Sequence, residues 1–389
     1  MKFFVTGVSQ PRRTTPRNPF ERWKMNNRLV KSGVRAFALT SVLALGLAGC
    51  ASSSTESAST EEEDTAAEET TEEAPSDEGL RIAIMPKAIN IGYFAAWDEG
   101  AQNACEELGA TCDYIGPNEA TGPAQVQFIN QVIQDGYDAL VISAADQNAI
   151  VPALEEAAAA GITVVTSDAD VAAEAASSRL VSILPSAADR IGTAEVDWVA
   201  EEMGEEGSVA ILSAAATAAN QNVWIEAMGP YLEETYPNMS WVGGGLDSAV
   251  FYGDDDPTKS VEQFNAILSQ YPEVGGIIAP TTVGVLAAAQ EKKAKGVDVA
   301  VTGLGLPSEM APYIEDGTIA KVGLWNPIDL GYVGVYAAVL GHNGEFDGAV
   351  GSSFQAGDTT YEVVDGGIAF LGDPFTFTID NIATFKEIY

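Results

Sequence analysis

From Leu80 onward, short apolar stretches rich in β-branched residues alternate with amphipathic stretches rich in Ala, Glu and Gln. The former have the length of strands, and the latter have the apolar spacing of helices. We predict strands at Arg81–Met85, Thr111–Ile115, Ala139–Ile142, Thr163–Thr166, Leu180–Ile183, Val209–Leu212, Ser240–Gly243, Gly276–Ala279, Val299–Thr302 and Ala320–Leu324. We predict helices between these strands, for example at Ala124–Gln134, Ala149–Ala160, Ala188–Glu202, Val223–Glu234, Pro257–Gln270 and Gly284–Lys295. The last stretch, 353–389, loses the helical pattern, and YEVVDGG with IAFL predicts a small hairpin.

The regular alternation of strands and crossover helices predicts an α/β fold. Uninterrupted apolar strands are typical of parallel sheets whose two faces are both covered by helices. About 310 residues follow Gly79, which is more than one such sheet uses. We therefore predict two Rossmann-like lobes, each a parallel sheet with helices on both faces.

The N-terminal segment has the pattern of a bacterial lipoprotein signal. Residues 36–48 form an apolar run that is too short to cross a bilayer as a helix and typical of a signal-peptide core. Three basic residues precede it, Arg28, Lys31 and Arg35. Leu47-Ala48-Gly49-Cys50 follows and resembles a lipobox, so we predict that Cys50 carries the lipid anchor. We interpret residues 1–49 as this signal preceded by an over-called start, with Met25 as the alternative first residue.

Charge is distributed unevenly along the chain. The sequence holds 56 acidic and 19 basic residues, for a net charge of −37. Residues 50–79 consist mainly of Ser, Thr, Ala, Glu and Asp and predict a disordered acidic tether. Residues 80–389 still hold 44 acids against 10 bases. Such a surface suits either a salt-adapted protein or a secreted protein that avoids anionic cell walls, and it excludes nucleic-acid binding.

Cysteine and histidine usage limits the chemistry further. Cys105 lies in a helical pattern and Cys112 near the following strand, in an exported domain where disulfides form. Because such a helix and strand pack together, we favour a disulfide between them, with two free thiols as the alternative. The single histidine, His342, argues against His-based metal sites and catalytic triads.

Enzymatic and metal-binding interpretations find little support. Met85-Pro86-Lys87 follows the first strand, where a phosphate-binding loop would have glycines. The run Asp254-Asp255-Asp256 suggests calcium, but the EF-hand spacing fails because Lys259 stands where glycine is needed. Asp256-Pro257 instead predicts the N-cap and first turn of a helix. We predict no enzyme activity, no cofactor and no metal.

Polar side chains follow the carboxyl ends of the predicted strands, where open parallel sheets bind ligands. They are Lys87, Ser143, Asp168, Asp170, Asn220, Gln221, Thr281, Thr282 and Asn326, with the aromatic residues Phe94, Trp97 and Trp325 nearby. Amides, hydroxyls and carboxylates hydrogen-bond hydroxyl groups, and an aromatic face covers the C–H face of a ring. Taken singly, a strand-end Asp or Asn is more often a helix cap. Taken together, the set predicts a sugar site.

These features lie within motifs that resemble a known family. The motifs are IAIMPK, AQVQFINQVIQDGYDALVISAAD, VTSDAD, ILSAAATAANQNVWIEAM, YGDDDPTKS, APTTVG, TGLGLPSEMAPYIEDGT, LWNPIDLGY and GDPFTFTIDNI. From Arg81 to the C-terminus the chain resembles type I periplasmic sugar-binding proteins of ABC importers, in the branch of rhamnose-binding and autoinducer-2-binding proteins. The resemblance implies a three-stranded hinge crossing near Leu184–Ser186, Gly303–Leu306 and Trp325–Pro327. Lobe one would comprise 80–184 with 305–325, and lobe two 185–304 with 326–389.

The resemblance also implies ligand-binding residues. The autoinducer-2 branch binds through a Lys after strand one and an Asp after the fourth strand, matched here by Lys87 and Asp168. Its Asp-Gln pair, Pro-x-Ala motif and Asp after Leu-Trp correspond here to Asn220-Gln221, Pro280-Thr281-Thr282 and Asn326. Three of these positions, Asn220, Thr282 and Asn326, differ from the autoinducer-2 branch and instead resemble the rhamnose-binding branch. We expect Phe94 or Trp325 to cover the apolar side of the sugar. We therefore expect a rhamnose-like deoxyhexose rather than autoinducer-2.

The implied biology is import. We expect a monomeric lipoprotein, exported and anchored by Cys50 to the outer face of the cell membrane or lying in the periplasm, that delivers a monosaccharide to an ABC permease and its ATPase. Uptake or sensing of autoinducer-2, or presentation of a ligand to a sensor, are the alternatives. A repressor of the same fold is rejected, because a signal peptide and an acidic tether stand where its DNA-binding helices would be.

Overall fold

The computed structural model describes residues 79–389. The predicted signal peptide, lipidated Cys50 and nearly all of the acidic tether lie outside these residues. The strands are β1 (Arg81–Met85), β2 (Thr111–Tyr114), β3 (Ala139–Ile142), β4 (Thr163–Ser167), β5 (Val181–Leu184), β6 (Gly207–Ser213), β7 (Met239–Trp241), β8 (Val250–Tyr252), β9 (Val274–Ala279), β10 (Ala300–Gly303), β11 (Lys321–Leu324), β12 (Ser353–Ala356), β13 (Thr359–Glu362), β14 (Ile368–Phe370) and β15 (Phe375–Thr378). The helices are α1 (Gly92–Leu108), α2 (Gly122–Gln134), α3 (Val151–Ala159), α4 (Ala188–Met203), α5 (Ala219–Thr235), α6 (Leu246–Ala249), α7 (Pro257–Gln270), α8 (Thr282–Lys295), α9 (Pro307–Glu315), α10 (Pro327–His342) and α11 (Ile382–Phe385).

The first sheet has six parallel strands in the order β14-β5-β4-β3-β1-β2. Successive side chains of a strand point to opposite faces, and here both faces are buried. Leu140 and Ile142 of β3 belong to a core with residues of α2 and α3, whereas Val141 between them lies against Gly334 of α10. The all-apolar strands predicted from the sequence are thus covered by helices on both sides, as parallel sheets require.

The second sheet is built in the same way around β6. Strands β10, β9, β6 and β7 are parallel neighbours, and β8 pairs with the far half of β6. Strand β11 pairs antiparallel with β15 and bridges to the end of β10 through Leu304 and Gly323. The two sheets define lobe one and lobe two. The α/β fold with two parallel-sheet lobes is confirmed.

The chain crosses between the lobes three times, but not where all three crossings were expected. Crossings occur between β5 and α4, between β11 and α10, and between β14 and β15. The first and third run side by side, with Leu371 N donating to Leu184 O and Gly372 N to Pro185 O, each at 3.0 Å. The crossing predicted at Gly303–Leu306 is wrong, because the chain from β10 continues beside the second sheet.

The predicted lobe boundaries are corrected accordingly. Residues 305–325 were assigned to lobe one, yet β11 lies beside β10 of the second sheet. Residues 326–389 were assigned to lobe two, which holds for β15 beside β11, whereas α10 packs on α1 and on strands β3, β4 and β5, and β14 extends the first sheet. The close contact between α1 and α10 requires glycine at position 331, because a Cβ on Gly331 would lie 1.9 Å from the carbonyl oxygen of Trp97.

The C-terminal hairpin also differs from the prediction. YEVVDGG and IAFL were expected to pair with each other. That pairing is limited to one antiparallel bridge between Val364 and Ile368, whereas β13 pairs with β12 in antiparallel register and β14 joins β5 in parallel. Arg179 anchors this segment: Nη1 and Nη2 donate to the carbonyl oxygens of Gly367 and Gly366 at 2.9 and 3.0 Å. This buried guanidinium holds the strand that leads into the third crossing.

The structure contains both the predicted disulfide and the predicted cap of α7. Cys105 and Cys112 form a disulfide with a Cα–Cα distance of 6.1 Å, which ties α1 to β2. Asp256 caps α7 by accepting a hydrogen bond from Lys259 N at 2.8 Å, with Pro257 in the first turn, as predicted. Within 79–389, no helix is both long and apolar enough to cross a membrane.

Candidate ligand-binding site

A cavity lies between the lobes at the carboxyl ends of both parallel sheets. Its empty space, counted together with the solvent at its open mouth, is about 400 Å³. It is lined by Lys87, Ile91, Tyr93, Phe94, Asp168, Asn220, Gln221, Trp224, Asp255, Pro280, Thr281, Thr282, Leu304, Leu324 and Trp325. Nine of the ten ligand-binding residues predicted from the sequence are in this set.

Asn326 is the exception. Its side chain caps α10, where Oδ1 accepts a hydrogen bond from Ile328 N at 3.0 Å. The first backbone N–H groups of a helix have no partner within the helix, and a preceding Asn satisfies one of them. Asn326 is therefore a helix cap that lies outside the cavity lining, and its role as a ligand-facing amide stays a prediction.

Asp168 is the centre of the lobe-one side of the cavity. It follows β4 with a left-handed backbone (φ 73°) and is only 3% exposed. Its Oδ1 accepts from Tyr93 Oη at 2.8 Å and its Oδ2 from Ser143 Oγ at 2.7 Å. Lys87 Nζ lies 3.8 Å from Oδ2. Each carboxylate oxygen can accept more than one hydrogen bond, so Asp168 retains accepting capacity for a ligand.

Tyr93 links this acid to the aromatic side of the cavity. Its hydroxyl accepts from Trp325 Nε1 at 2.7 Å while donating to Asp168. Burial and the neighbouring Asp168 raise the pKa of Tyr93 well above its ordinary value, so the phenol stays protonated and remains a donor. The chain of hydrogen bonds from Trp325 through Tyr93 fixes the orientation of the Asp168 carboxylate.

Asp170, two residues further along, has a different role. Its carboxylate forms a two-point pair with the guanidinium of Arg179, Nε to Oδ1 at 2.7 Å and Nη2 to Oδ2 at 2.5 Å. Thr166 Oγ1 also donates to Oδ1 at 2.7 Å. Through this pair with Arg179, Asp170 stabilises the loop after β4, and it lies outside the cavity lining.

Lobe two contributes amides. Gln221 Oε1 accepts from Ser213 Oγ and from Ala214 N, both at 2.7 Å, which leaves its amide nitrogen as the donor. Asn220 Oδ1 accepts from Lys87 Nζ at 3.0 Å, a hydrogen bond that joins the two lobes across the cleft. The lobes are therefore in direct polar contact across the cavity.

Aromatic side chains form the apolar wall of the cavity. The rings of Trp224 and Trp325 lie 5.7 Å apart at 64°, and Tyr93 meets Trp325 edge-on at 6.3 Å. Phe94 packs edge-on against Tyr93 at 5.1 Å. Such rings offer apolar surface to the C–H groups of a ligand.

Three lining residues of consequence were missed from the sequence. Tyr93 directly precedes Phe94 in the first turn of α1. Trp224 lies one helical turn beyond Asn220 in α5, a spacing that places two residues on one helix face. Asp255 lies in a run of three Asp residues, and the sequence alone does not show which of them faces the cavity. Helical spacing could have identified Trp224, whereas no sequence signal separates Asp255 from its neighbours.

The sequence model of the periplasmic binding protein domain matches residues 82–345. This match covers well over half of the chain. The chain belongs to the periplasmic binding protein family. The family and the type I fold predicted from the motifs are confirmed, and the protein is a binding protein rather than an enzyme.

Known relatives extend the comparison. A solute-binding protein of an ABC transporter from Clostridium phytofermentans, solved with bound L-rhamnose, is 36% identical with a TM-score of 0.75, over 80% of this chain and 99% of that one. LsrB from Clostridium saccharobutylicum, solved with AI-2, is 26% identical with a TM-score of 0.73, over 79% and 99% of the two chains. The D-apiose import binding protein of Actinobacillus succinogenes is 27% identical over 63% of this chain and 74% of its own length.

Proposed function

We propose that this periplasmic binding protein is the substrate-binding lipoprotein of an ABC sugar importer and binds a rhamnose-like deoxyhexose between its lobes. One observation carries the proposal. The cavity combines a fixed carboxylate, amides and an aromatic wall, which is the chemistry that hydrogen-bonds hydroxyls and covers a sugar ring. The 36% identical relative solved with L-rhamnose supports the choice of sugar.

Each side of the cavity would recognise a different part of the sugar. Asp168 would accept hydrogen bonds from two neighbouring hydroxyls, and a charged acceptor makes such bonds stronger. Lys87 would donate from the same lobe, and Asn220 and Gln221 would supply amides from the other. The wall formed by Phe94, Trp224 and Trp325 would cover the apolar side, including the methyl group of a 6-deoxy sugar.

Delivery would follow from closure of the lobes. The three crossings allow the lobes to rotate about a hinge, and a ligand favours the closed form only through higher affinity for it. In this proposal the closed, monomeric protein, tethered through a lipid on Cys50, docks on the permease of an ABC transporter powered by its ATPase. Solution scattering should show compaction when sugar is added, and identical curves would contradict this cycle.

Autoinducer-2 binding, for uptake or signalling, is the second candidate. LsrB, with AI-2 bound, has the same fold and is 26% identical. Against this candidate, Asn220 and Thr282 depart from the residues of the autoinducer-2 branch. A borated or charged diol would be better served by additional donors than by these amides. Presentation of a ligand to a sensor would use the same cavity.

Calorimetric titration of the purified protein tests the proposal. We expect the tightest binding for L-rhamnose, with weaker or absent binding of D-ribose, D-galactose and autoinducer-2. Tight binding of autoinducer-2 without heat from L-rhamnose would reverse the order of the two candidates. Absence of heat from every sugar in the set would contradict sugar binding itself.

A further inference from the structure

Three consecutive aspartates on the loop after β8 make three different contacts. Asp254 faces solvent and pairs with Lys259, with 2.8 Å between Oδ2 and Nζ. Asp256 caps α7. Asp255, between them, lines the cavity and accepts a hydrogen bond from Thr281 Oγ1. Only the middle residue of the run thus presents its charge to a ligand.

The backbone fixes this inward orientation. Asp254 and Asp255 both have left-handed backbones, with φ values of 54° and 49°, which non-glycine residues adopt rarely and mostly where surrounding contacts enforce it. Those contacts are present: Gly253 N donates to Ser213 O at 2.9 Å and Asp254 N to Ala214 O at 2.8 Å. The loop is therefore held against the end of β6, and the Asp255 carboxylate is a built part of lobe two.

The charges that line the cavity do not balance. Lys87 is the one cationic residue in the described lining, whereas Asp168 and Asp255 contribute carboxylates from opposite lobes. Burial raises the pKa of Asp255 above its ordinary value; Asp168 adds to the rise, and Lys87 opposes it. All three groups thus interact electrostatically, and Lys87 is shared between two acids. An anionic ligand would meet a net negative charge in this cavity.

We propose that Asp255 is a specificity-determining residue that admits neutral sugars and excludes sugars carrying a carboxylate or phosphate. The inference rests on the proposed function of the same cavity. The side of Asp255 that is not held by Thr281 would accept a hydrogen bond from a neutral sugar hydroxyl. The same side repels an acidic substituent, which cannot donate a hydrogen bond when ionised.

Two sugars that differ only at C6 test the inference. L-Rhamnose has a methyl group there, and L-mannuronate has a carboxylate. At pH 7.5 we expect the wild type to bind L-mannuronate at least about 100-fold more weakly than L-rhamnose. Asp255→Asn should narrow that ratio by roughly tenfold or more, since it removes a like charge. Asp254→Asn removes the same charge one residue away, outside the cavity, and should leave the ratio unchanged.

The outcomes separate this inference from the proposed function. If the wild type binds L-rhamnose and the ratio is the same in Asp255→Asn, the inference alone is wrong. Equal binding of the two sugars by the wild type also overturns it. A wild type that binds neither sugar contradicts the deoxyhexose proposal and this inference with it. Asp255→Ser, which also lacks the charge, gives the same readout if the Asn variant does not fold.

Discussion

Replacing Asp168 by alanine should weaken sugar binding by at least about tenfold, and by up to roughly 150-fold. The expected loss is about 1.5–3 kcal/mol, the usual range for a hydrogen bond to a charged group. Asp168 is 3% exposed, and Tyr93 and Ser143 hold its two oxygens in place. Truncation would remove the ligand's acceptor and leave those two donors unpaired. Calorimetry with L-rhamnose measures the effect.

Two further variants help to interpret the result. Tyr93→Phe removes one hydrogen bond that orients Asp168, and it should weaken binding less than the loss of the carboxylate. Asp358→Ala, on the exposed turn between β12 and β13, should leave affinity unchanged. If folded Asp168→Ala binds sugar as tightly as the wild type, Asp168 only organises its neighbours and the proposed recognition is wrong.

Glu195 should make the protein less stable as the pH rises. Its carboxyl group lies in α4, fully buried, and within the described part of the chain neither of its oxygens has a hydrogen-bond partner. Burial raises the pKa of Glu195 well above its ordinary value, because the charged form is poorly solvated there. The folded state therefore favours the protonated carboxyl group more strongly than the unfolded state does.

The sign of the pH dependence follows from this difference. Below the ordinary carboxyl pKa the group is protonated in both states, and its contribution is most favourable. As the pH rises from there towards the raised folded pKa, the unfolded state ionises first. The free energy of unfolding then falls by about 1.4 kcal/mol per pH unit from this group.

Urea unfolding at pH 5, 6 and 7 measures the effect. The difference in unfolding free energy between Glu195→Gln and the wild type should grow with pH, because the amide does not ionise. Asp189→Asn, at an exposed position in the first turn of the same helix, should show no comparable growth. Parallel pH profiles for the wild type and Glu195→Gln would mean that the Glu195 carboxyl group is hydrated or paired in solution.

Much of the fold follows from local pattern, whereas the assignment of segments to lobes does not. Strands such as β1 and β3 are short apolar runs, and polar residues at their carboxyl ends located the cavity. Helix α10 is apolar almost all round, as helices buried on several sides are. Which lobe it joins depends on the backbone contact at Gly331, a tertiary feature without a local signal.

The site shows the same division between local and tertiary information. Asn326 follows a strand and precedes a helix, so the sequence suits a ligand contact and a cap equally well. The structure shows the cap, in which Asn326 Oδ1 accepts from Ile328 N, and the ligand contact stays a prediction. Asp255 is identical in type to both of its neighbours, and only the left-handed turn directs it inward. The role of Asp255 therefore depends on backbone direction, which is why sequence reasoning missed it.

A crystal structure of the protein saturated with L-rhamnose tests sugar recognition between the lobes most directly. We predict one pyranose ring in the cavity between the lobes, with two hydroxyls within hydrogen-bonding distance of Asp168 and the methyl group against Phe94, Trp224 or Trp325. A sugar bound elsewhere, or a cavity without sugar under conditions in which calorimetry shows saturation, would contradict the account.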